Sequence, residues 1–378
     1  MESLDSPRQI PYFDYENLFS SKENELTTVI LKVLRRGAFI LQEELRHFEQ
    51  SISNYLGVRF AVGMANCTDA LTIGLRCAGI QPGDEVIFPS HTFVASPSAI
   101  HAVGAIPIPA DCSNDHLIDP EHVRQLVTPR TRAIMPVHLN GRTCAMDAIE
   151  EIADKHELII VEDAAQALGS SYKGKKAGTF GIASAFSFYP AKILGCFGDG
   201  GMMVTDNPRI AEKAFQMRDH GRDKNGKIRF FGVNSRLDNL QAAILNHQFE
   251  TYSEIILYRR HLASIYQTNL QSVDQLTLPP GPDDDEKGHF DVFQNYELEA
   301  DERTKLRQYL LHKGIGTLVQ WGGQAIHQVS ALRFKVSLPR TEQLFERALL
   351  LPINPMVSEE DVLYICQEIH KFYEQLKQ

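Results

Sequence analysis

The feature that most constrains this chain is a regular alternation of apolar runs with amphipathic segments between residues 59 and 206. The apolar runs are RFAVGM, DEVIFPS, AIPIPAD, RAIMPVHL, LIIVEDAA and SAFSFYP. The helical patterns between them include TDALTIGLRCAG, TFVASPSAIHAVG, PEHVRQLV and AMDAIEEIADKHE. Alternating strands and helices favour a doubly wound, mainly parallel sheet. LIIVED is apolar on both faces, as a central parallel strand should be. The sequence therefore predicts an α/β fold.

A helix is predicted ahead of this region. The segment SSKENELTTVILKVLRRG has capping-box spacing at Ser20 and Glu23, and Gly37 follows its basic last turn. We therefore expect the helix to begin just after Ser20 and to end at Gly37.

The sequence after the alternating region predicts a second, smaller unit. A long helical pattern runs from Ser235 to Leu270 and breaks at LPPGP, before the acidic Asp283–Glu286 loop. A strand candidate, FQNYELEA, and two more helical patterns, ERTKLRQYLLHKG and EEDVLYICQEIHKFYEQL, follow. We predict a large domain over residues 1–245 and a small α+β domain over residues 246–378.

Composition and charge exclude several classes of protein. The 378 residues carry a net charge of −10 without a Lys/Arg-rich block, which argues against nucleic acid as a partner. No apolar run approaches the roughly 20 residues of a membrane span, and the start of the chain does not resemble a signal peptide. The six cysteines are scattered and the 14 histidines lack metal spacing, so we expect reduced thiols, a cytoplasmic location and no metal.

Polar residues follow several of the predicted strands. Asp163 ends LIIVED, Lys192 follows SAFSFYP, Thr68 and Asp69 follow RFAVGM, and Phe93 follows DEVIFPS. Ligands of open α/β sheets bind at the carboxyl ends of the strands, so these residues are expected to converge on one crevice.

Each of these residues also has an ordinary structural interpretation. Asp163 resembles the magnesium carboxylate of a P-loop NTPase, but the chain lacks G-x-x-x-x-G-K-[ST]. Taken alone, Asp163 is compatible with a carboxylate that caps a turn, and Lys192 is compatible with a solvated loop lysine. Thr68 and Asp69 are together compatible with an ordinary helix cap. The GDGG segment after Lys192 is compatible with a hairpin turn.

A site for a single cofactor, pyridoxal phosphate, would account for all of these residue types together. Pyridoxal phosphate needs an amine for its aldehyde, a carboxylate for its ring nitrogen, a helix N-terminus for its phosphate and an apolar partner for its ring. The amine is supplied by Lys192 and the carboxylate by Asp163. The helix that starts at Thr68 is placed to bind the phosphate, and Phe93 is the apolar partner of the ring. Ser187 provides a further hydroxyl for the phosphate. A buried lysine has a lowered pKa, which suits an amine nucleophile.

The same residues lie in motifs that resemble the DegT/StrS family of pyridoxal-phosphate aminotransferases, over residues 10 to 373. The matching segments are NCTDAL, FPSHTFVAS, VEDAAQALG, FSFYPAKILGCFGDGG and GVNSRLDNLQAAIL. The resemblance implies the aspartate aminotransferase fold (fold type I), with a mainly parallel seven-stranded sheet flanked by helices. Lys192 is then the Schiff-base lysine, Ser187 contacts the phosphate, Asp163 meets the ring nitrogen and Gln166 lies beside the ring hydroxyl. Asn234 is implied to reach the partner's phosphate across a homodimer interface.

The sequence departs from the family pattern at the expected substrate pocket. VQWGGQAIHQ stands where many members have Tyr-x-x-Pro-x-His, so His327 and Trp321 are the candidates for substrate binding there. Gln42 stands where a glycine is usual. Arg229 is a further candidate, for the diphosphate of a substrate, although a solvated loop charge explains it equally well.

The resemblance implies amine transfer from L-glutamate to a nucleotide-linked keto-deoxyhexose, with a ping-pong cycle and a homodimer. One branch of the family has histidine in place of the lysine and removes a hydroxyl, and Lys192 argues against that branch. Two alternatives stay open: a cyclitol ketone or an aminobenzoate precursor as acceptor, and a non-catalytic regulatory protein that keeps the fold.

Overall fold

A computed structural model describes residues 8–282 and 288–376. Its helices are α1 (Tyr15–Ser20), α2 (Glu23–Arg36), α3 (Glu43–Leu56), α4 (Cys67–Cys77), α5 (Ala95–Ala102), α6 (Pro120–Leu126), α7 (Met146–His156), α8 (Pro208–Met217), α9 (Asn239–Phe249), α10 (Tyr252–Leu270), α11 (Arg303–His312), α12 (Pro339–Arg347) and α13 (Glu359–Leu376). Within these residues, no helix has the length and apolar character needed to cross a membrane. The Asp283–Glu286 segment lies outside the described residues.

Three sheets are formed by the strands. The strands are β1 (Phe60–Met64), β2 (Glu85–Pro89), β3 (Ile106–Ala110), β4 (Thr131–Ile134), β5 (Ile159–Asp163), β6 (Ser171–Tyr172), β7 (Lys175–Lys176), β8 (Ala183–Ser187), β9 (Gly201–Thr205), β10 (Leu276–Thr277), β11 (His289–Phe290), β12 (Tyr296–Ala300) and β13 (Ala348–Leu351).

The main sheet has seven strands in the order β1-β9-β8-β5-β4-β2-β3. Strands β3, β2, β4, β5 and β8 pair in parallel, whereas β9 pairs antiparallel with both β8 and β1. β1 therefore points the same way as β8. This confirms the predicted α/β fold with a mainly parallel sheet, and it places the carboxyl ends of β1, β2, β5 and β8 on one edge.

Helices cover the sheet because its strands are apolar on both faces. All five positions of β2 and of β9 are buried. Helix α4 lies across the sheet, and an added Cβ at its Gly74 would contact side chains of β8, β9 and β5 at 3.6 to 3.8 Å. These are ordinary van der Waals distances, so α4 lies directly against these three strands, and its N-terminus is fixed relative to the sheet edge.

Two helix boundaries differ from the sequence prediction. The capping box at Ser20 is wrong: Ser20 ends α1, and α2 begins after Lys22 without a side-chain cap. The end at Gly37 is confirmed, with φ of +63°. The single helix predicted from Ser235 to Leu270 is wrong as well, because the chain breaks between α9 and α10, where Thr251 has φ of −106°.

The smaller unit is built on an antiparallel sheet in the order β10-β12-β13. Its core contains Leu262 and Tyr266 of α10 together with residues of α11 and α13. Tyr252 and Ile256, at the start of α10, pack instead with the core beneath the large sheet. The division at residue 245 stays a prediction, and the change of core occurs within α10.

Candidate active site

A cavity of about 500 Å³ opens at the carboxyl edge of the main sheet. Residues that follow five strands, β1, β2, β4, β5 and β8, contribute to its wall, and residues of the smaller unit close the opposite side. The predicted site residues that line it are Thr68, Phe93, Asp163, Gln166, Ser187, Lys192 and Trp321. The expected convergence of the strand ends is thus seen in the structure.

Lys192 lies in the turn between β8 and β9. The turn is fixed from the smaller unit by the amide of Gln294, whose Oε1 accepts from Ile193 N at 3.0 Å and whose Nε2 donates to Ala191 O at 2.8 Å. These two hydrogen bonds fix the backbone on both sides of Lys192. Burial lowers the pKa of the Lys192 amine, although the charges of Cys67 and Asp163 oppose the shift. The lysine is therefore held in place and biased toward its nucleophilic form.

Asp163 is a buried carboxylate at the end of β5, only 4% exposed. Its Oδ2 accepts from Ser96 Oγ at 2.7 Å, and its Oδ1 accepts from Ala165 N at 3.1 Å. Burial raises its pKa in spite of these two bonds and the charge of Lys192. A buried carboxylate in this condition is stabilised by a cation placed beside it, which a protonated ring nitrogen supplies.

The N-terminus of α4 provides an anion site in the same cavity. The N-cap is Asn66, whose Oδ1 accepts from Asp69 N at 2.8 Å, and both Cys67 and Thr68 line the cavity. Amide groups of a first helical turn and the helix dipole favour a phosphate there. The start of α4 packs directly against Gly201 at the beginning of β9. This contact requires a glycine, because a Cβ at Gly201 would lie 2.3 Å from the carbonyl carbon of Asn66.

These residues fit pyridoxal phosphate. An amine, a carboxylate in need of a cation and a helix N-terminus surround one cavity, which is the donor set that this cofactor requires. Ser187 is half-buried beside them, and its Oγ accepts from Tyr189 N at 3.3 Å. Phe93 contributes a ring to the wall with 54% of its surface exposed, so one face remains available for stacking.

Gln166 is held against the far wall of the cavity. Its Oε1 accepts from Asn140 N at 2.7 Å and lies 3.4 Å from Asn295 Nδ2. Both contacts are with donors, so the amide oxygen points at the wall and the amide nitrogen remains for the cavity.

Trp321 adopts an unusual backbone conformation at the cavity. Its φ is +48°, a left-handed value that is costly for a bulky residue. Its ring centroid lies 5.5 Å from that of His91 and 6.1 Å from that of Phe345. Packing against two rings fixes the indole despite the strained backbone, which provides a rigid aromatic wall.

Four predicted residues do not line this cavity. Asp69 belongs to the first turn of α4, where its N–H is used by the cap. His327 is buried, with Nδ1 2.7 Å from Ser90 Oγ and Nε2 3.1 Å from Glu342 Oε1, so both ring nitrogens are engaged away from the cavity. Arg229 forms an ion pair with Asp223 on an exposed loop.

Asn234 is the fourth predicted residue that does not line the cavity. It is exposed, and the neighbouring Ser235 is buried and accepts from Ala65 N at 3.2 Å. Asn234 thus lies at the surface beside the segment that leads into the α4 N-terminus. Its role, like those of Asp69, His327 and Arg229, stays a prediction.

The structure adds cavity residues that the sequence prediction missed. They include Phe13, Asn66, Tyr189, Asp199, Gln294, Asn295, Leu318 and Gln320. Asn66 lies within the motif NCTDAL, and Tyr189 and Asp199 lie within FSFYPAKILGCFGDGG, so these three were within reach of sequence reasoning. Gln294 and Asn295 lie in FQNYELEA, where two consecutive amides ahead of an apolar strand were the available signal.

Comparison with known proteins agrees with this geometry. Residues 20–370 match the profile of the DegT/DnrJ/EryC1/StrS aminotransferase family. A Streptomyces venezuelae protein, dTDP-3-amino-3,4,6-trideoxy-alpha-D-glucose transaminase, is 38% identical over 100% of both chains. A Geobacillus stearothermophilus protein named "Pleiotropic regulatory protein" is 37% identical, over 96% of this chain and 98% of its own.

A solved structure leads to the same conclusion. Crystals of S. venezuelae DesV in complex with a ketimine intermediate contain a chain that superposes with a TM-score of 0.92 at 38% identity, over 97% of this chain and 99% of that one. Family, fold and site together identify an enzyme, a pyridoxal-phosphate-dependent aminotransferase. The chain belongs to the DegT/DnrJ/EryC1/StrS aminotransferase family.

Proposed function

We propose that the protein transfers the amino group of L-glutamate to a nucleotide-linked keto-deoxyhexose, a 3- or 4-keto-6-deoxy sugar, by a ping-pong mechanism. The observation that carries the proposal is the arrangement of Lys192 and Asp163 in one cavity with the N-terminus of α4. The transaminase activity named for the S. venezuelae relative supports a nucleotide-linked sugar as the acceptor.

Lys192 is proposed as the catalytic base and acid. When bound, pyridoxal phosphate supplies an aldehyde that takes up the donor's amine and a ring that accepts an electron pair. With the cofactor bound, Lys192 Nζ would remove the proton from the α-carbon of the donor amino acid and deliver it to the former aldehyde carbon of the cofactor. Its lowered pKa leaves more of the amine unprotonated at neutral pH, which suits a base.

The other residues are proposed to bind and orient the cofactor. Asp163 holds a proton on the ring nitrogen through its charge, Thr68 and Ser187 contact the phosphate, and Phe93 stacks on the ring. Only 4% of Asp163 is exposed, so its charge acts at low dielectric constant, where it is most effective.

The acceptor must meet positive charge outside this cavity. Of the described residues that line the cavity, Lys192 alone is cationic, while Asp163 and Asp199 are acidic. A nucleoside diphosphate carries negative charge that this lining does not neutralise. Trp321 is proposed to contact the sugar, and Arg229 is proposed to contact the diphosphate.

A homodimer is proposed to complete the site. The loop that carries Arg229 also exposes Phe231 fully and Ile228 to 66%, close in sequence to the exposed Asn234. An apolar loop of this kind is stabilised by a covering surface. We propose that a second copy covers it and that Asn234 reaches the partner's phosphate site. The role of His327 in substrate binding stays a prediction.

The protein is further proposed to be cytoplasmic. Its product would feed a surface polysaccharide, or a glycosylated metabolite or protein. Glutamate and sugar nucleotides are cytoplasmic metabolites, and scattered cysteines without disulfides fit a reducing compartment.

The experiment that tests the proposal is a visible spectrum of the purified holoenzyme before and after L-glutamate, followed by a panel of nucleotide-linked keto sugars. The expected result is a cofactor band that is lost with glutamate and regained with one of the sugars. Lys192→Ala is expected to abolish the cycle. Thr72→Ser, on the same helix as Thr68 but outside the cavity lining, serves as a matched control expected to retain it.

Two alternatives are separated by the same experiment. Recovery of the band with a free cyclitol ketone, without protection by a nucleoside diphosphate, would favour a non-nucleotide acceptor. The relative named as a regulatory protein keeps a non-catalytic role open as the second candidate. Failure to show a cofactor band, even after addition of pyridoxal phosphate, would favour that role.

A further inference from the structure

A buried carboxylate, Glu297 of β12, lies behind the cavity wall and is 1% exposed. Its Oε2 lies 2.8 Å from Asn140 Nδ2 and 3.1 Å from His116 Nδ1. Its Oε1 lies 3.0 Å from Gln320 Nε2 and 3.5 Å from His91 Nε2. Glu297 is therefore surrounded by donors from the large sheet's loops and from the smaller unit. The mechanism proposed above makes no use of it.

The charge of Glu297 fixes the direction of the neighbouring amides. An ionised carboxylate only accepts hydrogen bonds, so Asn140 must turn its nitrogen toward it. Asn140 Oδ1 then faces away and accepts from Asn295 Nδ2 at 2.8 Å and Gln320 Nε2 at 2.9 Å. Asn295 Oδ1 accepts from Tyr12 OH at 2.9 Å. Each amide in the chain thus has one orientation that satisfies all of its contacts.

This chain of amides ends at the cavity. Asn140 has a left-handed backbone, φ +57°, and its N–H donates to Gln166 Oε1 at 2.7 Å. Asn295 Nδ2 approaches the same oxygen at 3.4 Å. The side-chain bonds of Asn140 hold its backbone where its N–H can meet Gln166. Gln166 lines the cavity and its oxygen accepts from the wall, which leaves its amide nitrogen for a ligand in the cavity.

We propose that Glu297 is a positioning residue that, through Asn140 and Asn295, holds Gln166 so that its amide nitrogen donates a hydrogen bond to the ring hydroxyl oxygen of the bound cofactor. The inference rests on the proposed function, in which Gln166 lies beside that oxygen. A donor there stabilises the ionised oxygen and so lowers the pH at which it loses its proton.

The environment of Glu297 keeps it ionised at neutral pH. Burial alone would raise its pKa, but the charges and hydrogen bonds of His91 and His116 hold the pKa well below its usual range. Burial likewise opposes protonation of His116, yet its bonds to Glu297 and Glu299 raise its pKa to about 9. The carboxylate is therefore a constant acceptor over the working pH range.

Glu299 provides a matched control. It lies two residues further along β12, on the same face, and is also buried. Within the described chain, its side-chain contacts are with His116, Arg340 and Arg347, none of which lines the cavity. Replacing Glu299 disturbs the same ionic cluster without disturbing the amides that lead to Gln166.

The test is a pH titration of the visible cofactor band of the holoenzyme. Glu297→Gln places an amide nitrogen among donors, so Asn140 loses its fixed orientation. The pH midpoint is expected to rise by roughly half to one pH unit, the value of one neutral hydrogen bond. Gln166→Leu is expected to raise the pH midpoint by a similar amount. The double variant Glu297→Gln/Gln166→Leu is expected to have the same midpoint as Gln166→Leu alone. Glu299→Gln is expected to leave the midpoint unchanged.

Asn140→Gly is a second route to the same result if Glu297→Gln folds poorly. Glycine accepts the left-handed backbone but deletes the amide, and the midpoint is again expected to rise. An unchanged midpoint in both variants, an equal shift in Glu299→Gln, or additive shifts of Glu297→Gln and Gln166→Leu would overturn the role of Glu297 while leaving the proposed function intact. A wild-type protein without any cofactor band would overturn both.

Discussion

Replacing Asp163 by asparagine removes a buried charge while keeping the shape of the side chain. The Oδ1 atom retains its bond from Ala165 N, and the hydroxyl of Ser96 can accept from the new amide as readily as it donated to the carboxylate. The substitution therefore isolates the charge. Opposite charges 4 Å apart interact by about 4 kcal/mol at an effective dielectric constant of 20, which corresponds to about a 1000-fold loss of rate.

The assay is a single-turnover reaction with L-glutamate, followed at the visible band by stopped-flow. Asp163→Asn is expected to slow it about 1000-fold. The control Ser96→Ala keeps the charge and loses one hydrogen bond, so a loss of about tenfold is expected. A rate for Asp163→Asn within tenfold of wild type, or equal to that of Ser96→Ala, would refute the reasoning.

The charge of Asp163 can also be tested without turnover, by measuring the thermal stability of Asp163→Asn. Burial raises the pKa of Asp163, so in cofactor-free protein the charged carboxylate lowers the stability of the fold, and that cost grows as pH rises from about 3.9 through the raised pKa. Cofactor-free Asp163→Asn is therefore expected to melt at or above the wild-type temperature at neutral pH, whereas the holoenzyme variant melts below wild type. Thermal melts of both forms check this, and destabilisation of the cofactor-free variant would contradict it.

Three further predictions follow from particular contacts. Because the pKa of His116 is raised to about 9, its ionic stabilisation is fully present below pH of about 6.5 and is lost as pH rises through 9. Melting temperatures of wild type are thus expected to fall more steeply over that range than those of His116→Gln, and parallel curves would contradict the shift. Gly201→Ala forces a Cβ to within 2.3 Å of the Asn66 backbone and is expected to weaken cofactor binding at least about tenfold in a spectroscopic titration. Gly74→Ala, whose nearest contact is 3.6 Å, is the control, and equal affinities would be inconsistent with the packing argument. Phe231→Ser is expected to weaken a homodimer in light scattering, whereas Leu257→Ser, at an exposed position of α10, is expected to have no effect. A monomeric wild type would refute this arrangement.

The sequence was sufficient to predict the residues at the strand ends. Asp163, Ser187 and Lys192 each follow a clear apolar run, and the carboxyl ends of parallel strands meet at one edge. Their convergence depends only on strand direction, which the strand–helix alternation already implies.

The residues that support the site could not be predicted in the same way. Gln294 grips the lysine turn from about 100 positions further along the chain, so its role depends on how the smaller unit docks. Glu297 is similarly remote from Asn140, which lies 157 positions earlier in the sequence. The break before Tyr252 was also missed, because both sides of it carry helix-favouring residues and only the change of packing surface requires a bend.

The prediction for His327 illustrates a different limit. His327 was assigned to the substrate from its motif. In the structure both of its ring nitrogens contact Ser90 and Glu342, and the assignment stays a prediction. A motif gives the position of a residue along the chain, whereas the direction of its side chain depends on the rotamer and on neighbours that the motif does not contain.

The most direct test of the central claim is transfer of isotope in two separated half-reactions. Holoenzyme is incubated with ¹⁵N-labelled L-glutamate, free amino acid is removed, and a nucleotide-linked keto sugar is added. The predicted result is a ¹⁵N-labelled amino sugar nucleotide in an amount no greater than the enzyme sites, with no product from Lys192→Ala. Unlabelled or absent product from enzyme that had accepted the label would contradict the proposed acceptor, and failure to accept the label would contradict the proposed donor.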